Sequence, residues 1–172
     1  KQNRHKVKGV ILTHAHEDHI GALPYLLKEI NVPVYGTPFT LSIVKNKLQE
    51  HDLYHRVRLV TITPDDKISF KPFDIEFIRV SHSTVDSVGI AVRTPEGVIV
   101  HTGDFKINHS DIGPLATDIN KFARLGKEGI LALFSDSTNV EKEGYTVSDH
   151  VVEETMEKIL AECQGRMVVA LF

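Results

Sequence analysis

The sequence predicts an α/β (α+β) fold, mixed sheets flanked by helices, and three observations carry that prediction. The middle of the chain alternates apolar and polar residues at strand length, the flanks repeat apolar residues at helical spacing, and Pro, Gly and Asp punctuate the joints. No internal repeat, low-complexity tract or linker interrupts this pattern, so one sheet-and-helix unit is the economical architecture.

The elements follow in order. Residues 9–13 (GVILT) form a β-rich apolar run of the kind buried on both faces of a sheet. Leu23, Leu26, Leu27 and Ile30 then recur at helical spacing, with Pro24 tolerable only in a first turn, and Asn31 and Pro33 end that helix. Val34 and Tyr35 make a brief strand. Thr37-Pro38 opens a second helix with Leu41, Val44 and Leu48 on one face.

Strands are expected at 57–63, 67–70, 73–80, 87–94 and 98–102. In the third of these, Phe73, Ile75 and Phe77 face one way while Asp74 and Glu76 face the other. Thr94-Pro-Glu-Gly97 places Pro and Gly where a short hairpin turn wants them. A helix at 116–125, a strand at 130–134 and a helix capped by Ser148-Asp149 and running to Glu162 complete the pattern. Residues 167–172 read as a further strand without a turn after it, and residue 1 is Lys. The chain is therefore expected to be a piece of a longer protein.

Composition narrows the function classes. Of 172 residues, 41% are hydrophobic and 25% charged, ordinary for one globular domain. The 20 basic and 23 acidic residues give a net charge of −3, which supplies no electrostatic argument for nucleic acid, membrane or an acidic tail. Any such partner must be argued from a site. The single cysteine, Cys163, excludes an internal disulfide and fits a reducing compartment. No apolar run approaches the ~20 residues of a membrane span, and no signal peptide is visible.

The chemistry concentrates in His14-Ala-His-Glu-Asp-His19, at the mouth of a helix. His14 and His16 lie two positions apart, so in an extended chain both imidazoles project to one side and can grip one ion. Asp18 and His19 sit at the turn into the helix, where the N-terminal dipole favours an anion, and can point towards a second ion. Histidine nitrogen and carboxylate oxygen bind zinc at about 2.0–2.2 Å, and paired catalytic metals sit about 3.5–4 Å apart. Glu17 falls between ligands and is expected to point to solvent. Asp104 follows Thr102-Gly103 at a strand end, where small residues let the backbone approach a site closely. His5, His51, His55, His109 and His150 read as ordinary loop or helix-end residues, and His101 as a buried, hydrogen-bonded one.

The His-x-His-x-Asp-His string resembles that of the metallo-β-lactamase superfamily, which implies a partial αββα sandwich. That resemblance makes His82, after the strand at 73–80, a further ligand and Asp104 a bridging carboxylate. Ser81-His-Ser-Thr-Val-Asp-Ser87, His101-Thr-Gly-Asp-Phe-Lys106 and Ser135-Asp-Ser-Thr-Asn139 resemble the ribonuclease J branch of the β-CASP nucleases, as does His19-Ile-Gly-Ala-Leu-Pro-Tyr-Leu-Leu27. This resemblance covers nearly the whole chain. It implies a cytoplasmic ribonuclease that cuts RNA internally and from the 5′ end with two zinc ions, manganese being the alternative. His14, His16 and His82 would hold one ion, Asp18 and His19 the other, and Asp104 would bridge them. Asp18, Asp104 and Asp136 would be the catalytic carboxylates, with Asp136 orienting a leaving-group histidine from an inserted domain. The competing reading of Asp136 is a cap on the Ser-Thr-Asn turn.

The resemblance further implies that residues 1–172 are part of a metallo-β-lactamase domain, with amino-terminal strands, the β-CASP insertion and a carboxy-terminal part, including a last histidine ligand, lying outside this chain. The fragment alone is then expected to be inactive and to self-associate through uncovered edges, while the full-length form is a homo-oligomer acting on RNA. Two other readings stay open: a small-molecule metallo-hydrolase of thioesterase or lactonase type, and an inactive RNA-binding scaffold.

Overall fold

A computed structural model describes residues 3–108 and 116–170 of the chain. His109 lies outside the described residues. The first layer is a three-stranded parallel sheet of β1 (Val10–Ile11), β2 (Val34–Gly36) and β3 (Leu59–Thr61) in that spatial order. The second is a five-stranded sheet, β4 (Lys67–Phe70), β5 (Phe73–Arg79), β6 (Val88–Thr94), β7 (Gly97–His101) and β8 (Ala132–Phe134), antiparallel except for the parallel β7–β8 pair.

Between β1 and β2 lie α1 (Glu17–Ile20) and α2 (Leu23–Glu29), and α3 (Pro38–Glu50) crosses from β2 to β3. The histidine segment therefore enters a single helical turn first, and α2 starts separately with Pro24 in its first turn, where a missing N–H leaves no bond unmade. After β7 come α4 (Ile119–Glu128) and, beyond β8, α5 (Asp149–Glu162).

Three apolar clusters define the layers. Leu23, Leu27, Leu41, Val44 and Leu48 pack α2 and α3 onto the outer face of the first sheet, around Leu12 and Val34. Ile62, Ile75, Phe77 and Val88, with Ile11, Tyr35 and Phe70 against them, fill the space between the sheets. Ile78, Ala91, Val100 and Leu125 pack α4 onto the far face of the second sheet. The order helix, sheet, sheet, helix is the αββα sandwich expected from the resemblance.

Several boundaries differ from expectation for local reasons. The helix expected at 116–125 begins at Ile119 because Asp118 caps it, its carboxylate accepting the Lys121 N–H at 2.9 Å. Ser148 caps α5 as expected, but none of the α5 residues is buried. Residues 167–170 are not in a strand, contrary to the apolar reading, and 171–172 lie outside the described residues. Glu76 lies opposite Phe77 as expected, on a face that α4 covers. Its carboxylate is 3% exposed, accepting from Arg93 at 3.2 Å and from Arg124 at 3.1 Å.

Candidate metal centre

Three chain segments converge where the ends of the two sheets meet. The segment after β1 carries His14 and His16, the loop after β5 carries His82, and the loop after β7 carries Asp104. One ligand atom from each of these four residues lies within 4.8 Å of the others. His16 Nδ1 and His82 Nε2 are 3.0 Å apart, and both His14 Nε2 and His82 Nε2 stand 3.7 Å from Asp104 Oδ2.

The other oxygen of Asp104 faces elsewhere. Asp104 Oδ1 lies 3.4 Å from His19 Nε2, and the same nitrogen is 3.5 Å from Asp18 Oδ2. One carboxylate thus faces two groups: His14 and His82 through one oxygen, and His19, itself beside Asp18, through the other. Asp18 is the most exposed member, with 78% of its side chain in contact with solvent.

The backbone that holds these groups is tightly specified. The Val88 N–H donates to the Thr13 carbonyl at 2.9 Å, tying the first sheet's end to β6 beside His14. Gly103, at φ +63°, lets the chain turn against that junction: a Cβ there would stand 2.9 Å from Val88 O and 3.1 Å from Thr13 Cβ. The Gly103 N–H donates to His101 Nδ1 at 2.9 Å, while the Thr102 hydroxyl donates to the Gly103 carbonyl and accepts from Asp136 N–H at 3.1 Å. His101 is hydrogen-bonded as expected, but it is exposed rather than buried, its ring stacked on Phe134.

The electrostatics suit cation ligation. His14 is fully buried, its Nδ1 is 3.0 Å from Thr13 Oγ1, and its Nε2 has no hydrogen-bond partner. A proton on Nδ1 donated to Thr13 leaves Nε2 as a bare lone pair aimed into the cluster. Burial, and after it the nearby His19, His82 and His16, pushes the His14 pKa down to about 3. Burial and then His16 also lower His82, against the opposing pull of Asp104 and Asp136. Neutral imidazoles are the form that binds a metal. An orphaned buried nitrogen among three imidazoles and a carboxylate fits a zinc-type ion, whose attraction would replace the missing hydrogen bond.

Asp136 sits at the end of β8 beside this cluster. It accepts the Thr138 N–H at 2.8 Å, and Thr138 above all holds its carboxyl below the usual carboxylate range. The turn-capping contact and the place in the site coexist. Glu17 is exposed as expected, yet its carboxylate takes a 2.7 Å hydrogen bond from Lys47 on α3.

Two participants escaped the sequence reading. The Thr117 hydroxyl accepts from Ser81 N–H at 2.8 Å and donates to the Lys106 carbonyl at 2.7 Å, stitching the His82 loop to the Asp104 loop. Lys106 itself reaches Asp149 on α5. Nothing local marks Thr117, whereas Lys106 stands in the quoted His101–Lys106 string.

Comparison with known proteins now places the chain. Residues 1–122 match a family model described as "Beta-lactamase superfamily domain". The sequence is 42% identical over 172 residues to Ribonuclease J of Helicobacter pylori (strain ATCC 700392 / 26695), covering 99% of this chain and 25% of that protein. It is 41% identical over 170 residues to Ribonuclease J 1 of Streptococcus pyogenes serotype M3, covering 99% of this chain and 30% of that one. The chain thus spans well under half the length of the relatives it matches. Zn(2+)-bound PqqB from Methylobacterium extorquens superposes with a TM-score of 0.58 at 17% identity, covering 81% of this chain and 51% of PqqB. A protein of unknown function from Enterococcus faecalis V583 gives 0.59 at 20% identity, covering 89% of this chain and 39% of that one. Those two likenesses speak to the fold, and the family model speaks to descent: the chain belongs to the beta-lactamase superfamily.

Proposed function

We propose that this chain supplies most of the metal centre of a ribonuclease, acting within a longer cytoplasmic protein that hydrolyses RNA phosphodiesters internally and from the 5′ end. The observation that carries the reading is the split carboxylate of Asp104, with Oδ2 towards His14 and His82 and Oδ1 towards His19. That arrangement suits two ions sharing one bridge. His14, His16 and His82 would hold one zinc, Asp18 and His19 the other, with Asp104 common to both. Manganese is the alternative for the same nitrogen and oxygen donors.

When bound, such ions supply Lewis-acid stabilisation of a phosphoryl oxygen and lower the pKa of water towards about 7. The chain's own residues do the rest. Thr13 fixes the His14 ring, so that its lone pair stays directed into the cluster. The Thr102 hydroxyl sets the distance between the Asp104 and Asp136 loops. Asp136, its carboxyl held below the usual range chiefly by the Thr138 N–H, offers a fixed acceptor at the cleft wall that can orient an imidazole from elsewhere in the longer protein. The second ion has only Asp18, His19 and half of Asp104 here, so the 172-residue chain alone should bind it weakly and cleave RNA poorly.

The relatives' name supports RNA as substrate, and the four-residue ligand cluster supports a metal enzyme over an inactive scaffold. The test gives the full-length protein RNAs with 5′ monophosphate or triphosphate ends, beside an Asp18→Asn, His19→Ala variant, with metal content measured for both. Zinc-dependent cleavage that the variant loses is the expected outcome. Hydrolysis of a thioester or lactone without RNA cleavage overturns the reading, and a metal-free wild type points to a scaffold.

A further inference from the structure

Beside the ligand cluster opens a cleft of about 460 Å³, walled by His82, Asp104, Lys106, Asp136, Thr138 and Asn139 among others. Two of its walls are carboxylates, which repel an incoming phosphodiester. Lys106 is the one lysine or arginine among the described residues that line it.

The main chain of Lys106 is fixed in the frame of the site from both sides. Its N–H donates to the Ser81 carbonyl at 2.8 Å, its carbonyl accepts from Thr117, and the same threonine holds Ser81. Ser81 precedes His82, and Lys106 follows Asp104 by two residues. The Lys106 backbone therefore moves only with the ligand loops, and its side chain is free to swing from that fixed point. Its side chain is 20% exposed, and its ammonium makes a short ion pair with Asp149, whose carboxylate is 63% exposed.

We propose that Lys106 is the phosphate-binding cation of this cleft, and that Asp149 holds its ammonium ready until an RNA phosphate replaces the carboxylate. The proposal rests on the ribonuclease reading above. An ion pair with one well-hydrated partner contributes little, so releasing it costs little. Asp149 also stands in the first turn of α5, where the helix dipole continues to stabilise the carboxylate after the lysine leaves. A phosphodiester offers a charged acceptor in a cleft whose other charged walls are the carboxylates of Asp104 and Asp136, and the lysine serves it as a point charge.

The experiment measures binding of a fluorescently labelled single-stranded RNA with a cleavage-resistant backbone to the zinc-loaded full-length protein by anisotropy, across a salt series. Lys106→Gln is expected to weaken binding about tenfold and to reduce the log–log salt slope by about 0.7, the loss of one single-strand phosphate contact. Lys106→Arg should keep the slope, and Asp149→Asn should tighten binding about two- to threefold by removing the competitor. Melting temperature and zinc content of each variant separate a binding loss from unfolding; if Lys106→Gln fails to fold, the arginine and Asp149→Asn variants carry the test. Unchanged affinity and slope in Lys106→Gln, or unchanged affinity in a folded Asp149→Asn, overturns the proposal while leaving the ribonuclease reading intact. A zinc-loaded wild type that neither binds nor cleaves RNA overturns both.

Discussion

Gly103→Ala should damage the fold and the metal centre together. At φ +63° an alanine carries the left-handed penalty of about 1–2 kcal/mol. Its Cβ would stand 2.9 Å from the Val88 carbonyl and 3.1 Å from Thr13 Cβ. Neither neighbour can swing aside, because Val88 N–H is bonded to Thr13 O and both belong to the junction between the sheets. Overpacking of this kind costs about 1–3 kcal/mol, so a total near 3 kcal/mol is expected. For a chain of this length that lowers Tm by about 6–12 °C. If the backbone yields instead, the displaced residue is Asp104, and zinc affinity should fall about tenfold or more. Thermal melts with and without EDTA, and zinc titration against a chromophoric chelator, read both effects. Gly126→Ala is the control: nothing lies within 4 Å of its added methyl on α4, and it should stabilise by about 0.5–1 kcal/mol. A Gly103→Ala protein that melts and binds zinc like the wild type would refute the argument.

Other outcomes follow from the same contacts. Glu76→Gln should lower stability by about 1–3 kcal/mol in urea unfolding, less than a fully buried pair because Arg93 and Arg124 both reach water; no loss would mean the buried carboxylate is dispensable. In metal-free protein, His14 has its folded pKa depressed from 6.5 to about 3, so the unfolded chain binds the extra proton first. Stability should therefore be full above about pH 6.5 and decline as pH falls towards 3, and His14→Gln should flatten that slope in pH-dependent melts. Zinc at a thousandfold excess over its Kd should add about 4 kcal/mol to wild-type stability, and Asp104→Asn should lose most of that gain in scanning calorimetry.

The local parts of this molecule were legible because their causes are local. Alternation at Phe73, Ile75 and Phe77 reports a pleated strand, Ser148 reports a cap, and the spacing of His14 and His16 reports a shared side. What stayed hidden depends on partners distant in sequence. Alternation puts Glu76 on the face opposite Phe77 without saying what covers it, and only the docking of α4, more than forty residues later, buries it against Arg124. Thr117 carries no motif, and its role exists only because β5 and β7, the two neighbours of β6, end at the same edge of the sheet, where Ser81 and Lys106 pair. Asp18 and His19 are expected in the turn into the Leu23–Ile30 helix, and residues 17–20 instead form a helical turn of their own, which hydrophobic periodicity is too coarse to separate from α2. Asp136 left two readings open, and its contacts explain why sequence alone could not choose. The Thr138 N–H that makes it a turn cap is also what keeps its carboxylate ionised at the cleft.

The same distinction between local and distant contacts explains how the candidate centre is built. His14, His16, Asp18 and His19 come from six consecutive residues, so their relative placement is inexpensive: one extended stretch and one helical turn fix it. Within that segment the two halves meet ring to ring, the His14 and His19 centroids standing 4.0 Å apart. Asp104 adds a carboxylate that faces both halves, and it is the residue whose position depends most on long-range structure, through Gly103 against Thr13 and Val88, Thr102 against Asp136, and Lys106 against Ser81. A histidine-rich turn thus becomes a two-sided centre only when the two sheets pack, which ties ligand geometry to the inter-sheet core of Phe77, Ile75 and Val88. A substitution in that core far from any ligand, such as Phe77→Ala, should therefore weaken zinc binding in proportion to how far it lets the sheets part.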